Sequence, residues 1–331
     1  MAQLIKLQDY ISRYEVDPKR YPTQYVRLKQ AKWQRMKTEW EEPEVMDEWE
    51  AEELVLEDKP RTSFFNKINP FKRKKKELDY EQLEEEAIAP IQKQEDKEPE
   101  EEEVGFSFNP NLLYRPQTVQ ELRRMYMDQL FAFQLNWASS TMREKSNVEP
   151  KYQRDTFLKQ LLQELPDTFF VFYEPIFLLQ KAPVELGVIL VTPTDCYCIQ
   201  PVEAEERATF SGSHSDRFWM KLIGENQKKI VNPMISLNRM ESVMKSIFDQ
   251  HQVKMNIQKI VLSRNGYVDY PGSSYDVQFI DRRNFPTWFE QLGGNRAPMK
   301  HMQFRALESL IQHVQTTSFL RAEWFTEGGE K

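Results

Sequence analysis

The chain reads as a mixed α/β protein, and three features of its sequence predict that class. Several long segments repeat apolar residues at three- and four-residue spacing, the period of a helix. Between them lie short apolar runs bounded by Pro, Gly, Asn and Asp, the pattern of strands and turns. Over residues 105–331 the two kinds of segment are interleaved, which is the order of a sheet with helices packed on it.

At the start, Leu4, Leu7, Ile11 and Tyr14 recur at helical spacing until Pro18 and Pro22 interrupt them. A second helix is predicted over residues 25–40. It carries Tyr25, Leu28, Trp33, Met36 and Trp40 on one side and Arg27, Lys29, Arg35 and Lys37 on the other. Residues 1–41 therefore read as amphipathic N-terminal helices. A helix of this kind suits packing on the protein's own body, or use as an adaptor that recruits a partner, a membrane surface or nucleic acid.

From residue 42 to 104 the composition turns into blocks of charge, including the basic run Lys72, Arg73, Lys74, Lys75 and Lys76 and the acidic run Glu100, Glu101, Glu102 and Glu103. Such blocks repel themselves and bury little, so this stretch reads as a charged, disordered linker. Its basic run has phosphate-binding chemistry, with acidic neighbours competing for it.

Thr118 and Glu121 form a capping box behind Pro116. Val119, Leu122, Tyr126, Leu130, Phe133 and Trp137 then predict one long amphipathic helix reaching about Met142, so residues 105–150 read as a helix packed on the domain. A further helix is predicted over 153–164, stopping before Pro166. Strands are predicted over 168–173, 176–179, 185–191 and 197–202, with Pro193-Thr194-Asp195 as a tight turn. A short strand at 208–211, a helix over 233–250, strands at 255–263 and 277–280, a helix at 285–292 stopped by Gly293-Gly294, and a final helix over 302–316 complete the series. Residues 151–292 read as the main domain and 293–331 as a C-terminal helix and tail.

Charge is unevenly spread. The chain has 331 residues and a net charge of −7, with 45 Lys+Arg and 52 Asp+Glu. Residues 1–104 hold 19 Lys+Arg and 27 Asp+Glu, a net −8, which leaves +1 for residues 105–331. That excludes a uniformly basic nucleic-acid binder. The mean hydropathy of −0.71 belongs with the charged stretch, because 7 Trp, 13 Tyr and 21 Phe supply ample material for a core.

Cys196 and Cys198 are two apart and share a strand face, and with four His they make no zinc spacing. No metal site is expected. The first ten residues lack the basic start and apolar stretch of a signal peptide, and no apolar run reaches the roughly 20 residues of a spanning helix. The expected compartment is the cytoplasm.

The order of residues says more than the periodicity. The run Glu185-Leu186-Gly187-Val188-Ile189-Leu190-Val191-Thr192-Pro193, followed by Tyr197-Cys198-Ile199-Gln200-Pro201-Val202, resembles the nuclease-related domain (NERD) family. Gly187 and Gln200 are 13 residues apart, as are the Asp and Glu of that family. Gly212 and Trp219 resemble the family's downstream Gly and Trp, and Asn232-Pro233 its Asn-Pro before the next helix. Ile260-Val261-Leu262 is similar to its following strand. The helix that begins near Asp155 and ends in Leu165-Pro166 is similar to its first helix. The likeness covers residues 153–262, about a third of the chain.

The resemblance implies a restriction-endonuclease-like fold, a mixed sheet flanked by helices. It also implies a site where Asp and Glu hold Mg²⁺ and a Lys assists metal-bound water. Those three positions are Gly187, Gln200 and Val202 here. Gly187 offers no side chain, Gln200 one neutral carbonyl oxygen, and Val202 no charge. Pro201 removes a strand N–H. The expectation is therefore a catalytically inactive binding or scaffold module with no cofactor. Its partner would be a protein, with nucleic acid second. The alternative is a Mg²⁺-dependent nuclease with relocated acids, drawn from Asp155, Glu185 (two residues from Gly187 on one strand face), Glu203 and Glu205.

Other motifs carry less. No Gly-rich phosphate loop is present. Ser211-Gly212-Ser213-His214 lacks the setting of a nucleophile elbow. Arg282-Arg283 and Lys228-Lys229 are basic pairs able to meet phosphate but common on solvated surfaces.

Overall fold

Strands form where β-branched and aromatic residues run together. Phe170-Val171-Phe172-Tyr173 is β2 (Phe170–Tyr173) and Val188-Ile189-Leu190-Val191 is β5 (Val188–Val191), and every residue of both is buried. Runs apolar on both faces belong in the middle of a covered sheet. The computed structural model describes residues 1–42, 108–141, 144–179, 182–203, 207–213, 216–271 and 276–317. Its main sheet has six strands in the order β1 (Gln3–Leu7), β2, β5, β6 (Asp195–Pro201), β10 (Asn256–Leu262) and β12 (Val277–Ile280). β1 runs parallel to β2, and β6, β10 and β12 are mutually parallel; β5 is antiparallel to both its neighbours. The fold is mixed α/β, as the sequence predicts.

Four helices cover this sheet: α2 (Val119–Ala138) against β1, α4 (Thr156–Glu164) against β2, α5 (Pro233–Gln250) against β6 and β10, and α7 (His301–Ile311) against β5 and α5. The long helix α1 (Arg20–Glu41) lies on α2, α3 (Pro150–Arg154) precedes α4, and α6 (Phe285–Gly293) follows β12. Two smaller sheets flank the main one. One is the hairpin β3 (Ile176–Leu179) and β4 (Ala182–Glu185). The other has the order β11 (Tyr267–Asp269), β7 (Thr209–Ser211), β8 (Phe218–Ile223), β9 (Asn226–Val231).

Several helices start where the sequence places them, and for the predicted reason. The Thr118 hydroxyl accepts from the Glu121 N–H at 3.2 Å, and the Glu121 carboxylate accepts from the Gln117 N–H at 2.8 Å. Asn232 caps α5, and the two helical residues that follow are Pro and Met. α1 tolerates Pro22 because it sits in the first turn, where no intrahelical N–H is needed.

Five expectations are corrected. The segment from Leu4 to Tyr14 is no helix. Gln3–Leu7 is strand β1, followed by a short 3₁₀ turn at Arg13–Glu15. Five residues cannot nucleate a stable helix, whereas the open edge of β2 satisfies the backbone of β1: Gln3 N–H donates to Phe169 O at 2.8 Å and Gln8 N–H to Tyr173 O at 2.9 Å. Residues 1–41 therefore begin inside the main sheet. The helix over 153–164 is split by Asp155 into α3 and α4. The strand over 185–191 is split at Leu186-Gly187, so Glu185 ends β4 and does not share a strand with Gly187. The β8–β9 hairpin, turned at Gly224 with φ of +57°, is additional to the predicted strands. The last helix ends at Ile311. Residues 313–317 instead run extended, with Leu178 N–H donating to His313 O and Gln315 N–H to Ile176 O.

The aromatic side of α1 is spent on the body. Tyr25 and Met36 are fully buried, Trp33 lies 5.2 Å from the Tyr126 ring, and Trp40 Nε1 donates to Pro116 O at 2.9 Å. Most of the stretch read as a linker, with the basic run Lys72 to Lys76, lies outside the described residues, as do Met142 and Glu205. No helix among the described residues is long and apolar enough to cross a membrane.

The N-terminal strand carries a buried charge. Lys6 is fully buried, and its Nζ donates to Glu15 Oε1 at 2.5 Å and to Thr316 Oγ1 at 2.5 Å. Burial lowers its pKa while the Glu15 carboxylate opposes that shift. Removing one partner of such a pair costs more than removing both. We expect Glu15→Leu, which leaves the buried Lys6 ammonium without that carboxylate, to destabilise the fold by about 3 kcal/mol or more, and Lys6→Met combined with Glu15→Leu to recover most of that loss, both read by urea denaturation.

Candidate functional site

The strand directions bring one end of the main sheet together. The C-terminal ends of β1, β2, β6 and β10 and the N-terminal end of β5 lie side by side. Gln8, Tyr173, Glu174, Gly187, Gln200, Val202 and Arg264 all sit at or just beyond that end. Gln8 and Glu174 both have positive φ, +46° and +48°. That conformation is unfavourable for residues with a side chain, and it terminates neighbouring strands here.

Gly187 and Gln200, two of the three positions of the expected degenerate site, come together. A Cβ placed on Gly187 would lie 3.2 Å from Gln200 Oε1, and only 2.6 Å from the backbone oxygen of Ile199. The second distance is the reason for glycine: any side chain at 187 requires the β6 backbone to move. The half-buried Gln200 donates through Nε2 to Pro201 O at 3.3 Å. Val202 is buried, and its N–H extends the β6–β10 pairing by donating to Leu262 O at 2.8 Å. One neutral amide oxygen and no carboxylate at these positions do not fit Mg²⁺, which takes hard anionic oxygens.

The four structural positions form one corner. Gly212 lies flat against the buried Trp219, because a Cβ there would come within 2.2 Å of the indole. Trp219 Nε1 donates to Ser213 O at 3.2 Å, and Asn232 Nδ2 donates to Ser213 O at 3.2 Å and Asp216 O at 2.6 Å. Asn232 Oδ1 accepts from Met234 N–H at 2.9 Å, and Pro233 opens α5. This corner holds the small sheet against the start of α5.

Two of the acids considered for a relocated site, Asp155 and Glu203, have other work. Asp155 Oδ1 caps α4 by accepting from the N–H groups of Phe157 at 2.9 Å and Leu158 at 3.0 Å, while its Oδ2 accepts from Tyr173 OH at 2.6 Å. Glu203 is held by Arg264 through both carboxylate oxygens, with the Nη2–Oε2 bond at 2.6 Å. Arg264 also donates to Gln160 Oε1 and Thr156 Oγ1 and stacks over Phe157 at 4.8 Å, tying α4 to the end of β10. Glu185 is exposed at the end of β4. Among the described residues, no three His, Cys, Asp or Glu side chains are grouped to hold a metal ion.

Sequence reasoning misses two acidic-site residues that matter here. Glu174 is half-buried and accepts from Tyr152 OH at 3.2 Å. Burial raises its pKa, Tyr152 and Lys151 oppose the shift, and the charges of Asp155 and Glu185 add to it. The pKa of Tyr173 is pushed far up, by burial first and then by its bond to Asp155 and the charges of Asp155, Glu174 and Glu203. Tyr173 therefore stays protonated and acts as a donor. No local motif marks either residue; the strain at 174 is visible only in the fold.

Beside this cluster runs a groove of about 360 Å³ between β6, the β7–β8–β9 sheet and the start of α5. Gln200, Val202, Glu203, Lys221, Lys228 and Ser236 are among its lining residues. Lys221 and Lys228 are registered partners across the hairpin, and neither has an ion-pair partner among the described residues. Of the basic pairs noted in the sequence, Lys228 reaches this groove, whereas Arg283 is bonded to Asp281.

No family model and no solved structure matches the chain. A stretch of 41 residues is 54% identical to part of the RNA 2′,3′-cyclic phosphodiesterase of Geobacillus stearothermophilus, covering 12% of this chain and 13% of that protein. The chain thus matches about an eighth of that relative's length.

Two outcomes follow from the acids. Asp155→Ala is expected to lower stability by about 1–2 kcal/mol through the lost cap, and Asp155→Asn by clearly less, in paired urea melts. Glu174→Gln keeps an acceptor for Tyr152 and removes a buried charge. An acid with a raised folded pKa costs stability above that pKa and nothing below its unfolded value of about 4.3. Glu174→Gln is therefore expected to raise Tm at pH 7 and to lose that advantage below about pH 4.

Proposed function

We propose that the chain is a non-catalytic binding module built on a nuclease-related, restriction-endonuclease-like frame, working in the cytoplasm. One observation carries this reading. At the positions where the resemblance expects Asp, Glu and Lys, this chain has Gly187, Gln200 and Val202, and the closeness of Gly187 to the Ile199 carbonyl disfavours any side chain there. Among the described residues the nearby carboxylates offer no replacement set. Asp155 is engaged as a helix cap, and Glu203 is neutralised by Arg264.

A surface that has lost its hydrolytic groups keeps its shape and its non-reacting contacts. The groove beside Gln200 is concave and lined by both polar and apolar residues, which suits recognition without turnover. A protein partner is the first reading. Extended duplex DNA is the second, because the net +1 of residues 105–331 supplies little of the phosphate neutralisation that such binding requires.

The test is direct. Purified full-length protein incubated with supercoiled plasmid and Mg²⁺ or Mn²⁺ is expected to leave the plasmid uncut. Metal-dependent nicking that disappears in Glu185→Ala or Glu203→Ala would establish the relocated-acid nuclease instead and end the binding-module reading.

A further inference from the structure

We propose that the groove beside Gln200 binds a small organic phosphate of about nucleotide size, with Lys221 and Lys228 as its charge contacts. This rests on the binding-module reading and names a ligand for that same site.

The first support is the lysine pair itself. Lys221 and Lys228 lie directly opposite each other on β8 and β9, and both line the groove. Like charges directly opposite on one face of a sheet disfavour the unliganded fold. Among the described residues no carboxylate is ion-paired with either, and Glu203, the acid that lines the groove there, is taken up by Arg264. Among those residues the groove therefore presents two positive charges without a salt-bridge partner.

The second support is α5, 18 residues long, whose first residues line the same groove. Its N–H groups there are already used. Pro233 has none, Met234 N–H donates to Asn232 Oδ1 at 2.9 Å, and Ile235 N–H to Asn232 O at 3.1 Å. The helix contributes through the positive end of its dipole, leaving the lysines, the Ser236 hydroxyl and the Gln200 amide as the groups that face a ligand.

These features select the chemistry. A phosphate monoester carries close to two negative charges and several acceptor oxygens, enough to meet both ammonium groups at once; a simple carboxylate neutralises one. Phe210, registered beside Lys221, and Ile230, two residues from Lys228, share the lysines' sheet face and also line the groove, which gives a flat organic body apolar contacts next to the charges. The volume of about 360 Å³ lies at the small end of ordinary ligand sites. Two lysines serve one phosphate group and fall short of the many contacts that a duplex needs.

The test is calorimetric titration of the full-length protein with adenosine 5′-monophosphate, adenosine and a short DNA duplex. Saturable binding of the monophosphate is expected, with adenosine weaker by about tenfold or more, as befits loss of charge-assisted hydrogen bonds. Lys221→Ala and Lys228→Ala should each weaken the monophosphate by about tenfold, and Lys228→Arg should retain it. Thermal melts of the variants at or above the parent Tm would exclude unfolding as the cause. No saturable binding of the monophosphate, binding unchanged in both alanine variants, or a duplex bound more tightly than the monophosphate would each overturn the proposal. Plasmid nicking is scored separately, so a fall of the binding-module reading is distinguishable from failure of this ligand.

Discussion

The pairing of β5 with β6 is the constraint on which the site depends. It is antiparallel within a sheet whose other strands, from β6 outward, run parallel. Val188 opposite Ile199 fixes the register, and that register lays Gly187 against the backbone of its neighbour. Shifting the pairing by one residue would exchange the two faces of β5 relative to β6 and carry residue 187 away from the Ile199 carbonyl. The same register carries Gln200, Pro201 and Val202 to the rim, where α5 and the small sheet close around them. The absence of a side chain at position 187 is therefore tied to main-chain packing as well as to residue choice.

Charge at this rim is organised in compensated units. Asp155 is bonded to two backbone N–H groups and Tyr173, Glu174 to Tyr152, and Glu203 to Arg264. Each acid has a donor that stabilises it without a metal. Asp155 and Glu203 sit on opposite sides of Arg264's reach: one begins α4, and the other is held by a guanidinium that also bonds that helix through Thr156 and Gln160. Lys221 and Lys228 depart from this pattern, having no ion-pair partner among the described residues.

Local signals account for much of the architecture. Pro233 after Asn232, Thr118 before Glu121, and the uniformly apolar runs of β2 and β5 each announce an element within a few residues. The Gly187–Gln200 juxtaposition is likewise legible, since their spacing of 13 residues spans one strand, a turn and the return strand. What escapes the sequence depends on distant partners. β1 mimics a helical period and becomes a strand only because an edge at Phe170–Tyr173 is open to it. Arg264 and Glu203 are 61 residues apart, and nothing local couples them. The split at Leu186-Gly187 arises because β4 pairs with β3 rather than continuing into β5.

The docking of β1 also bears on how the molecule assembles. Its partners are separated from it by more than half the chain: Phe170 faces Gln3, and Thr316 meets Lys6 across 310 positions. Contacts of such separation form late, because loop closure precedes any gain from them. The segment from β2 to β10 has nearer partners, so on loop-closure grounds β1 is expected to join after it. Until it does, the edge of β2 remains available, and a nascent or partly folded chain presents there an apolar strand of the kind that pairs with other chains.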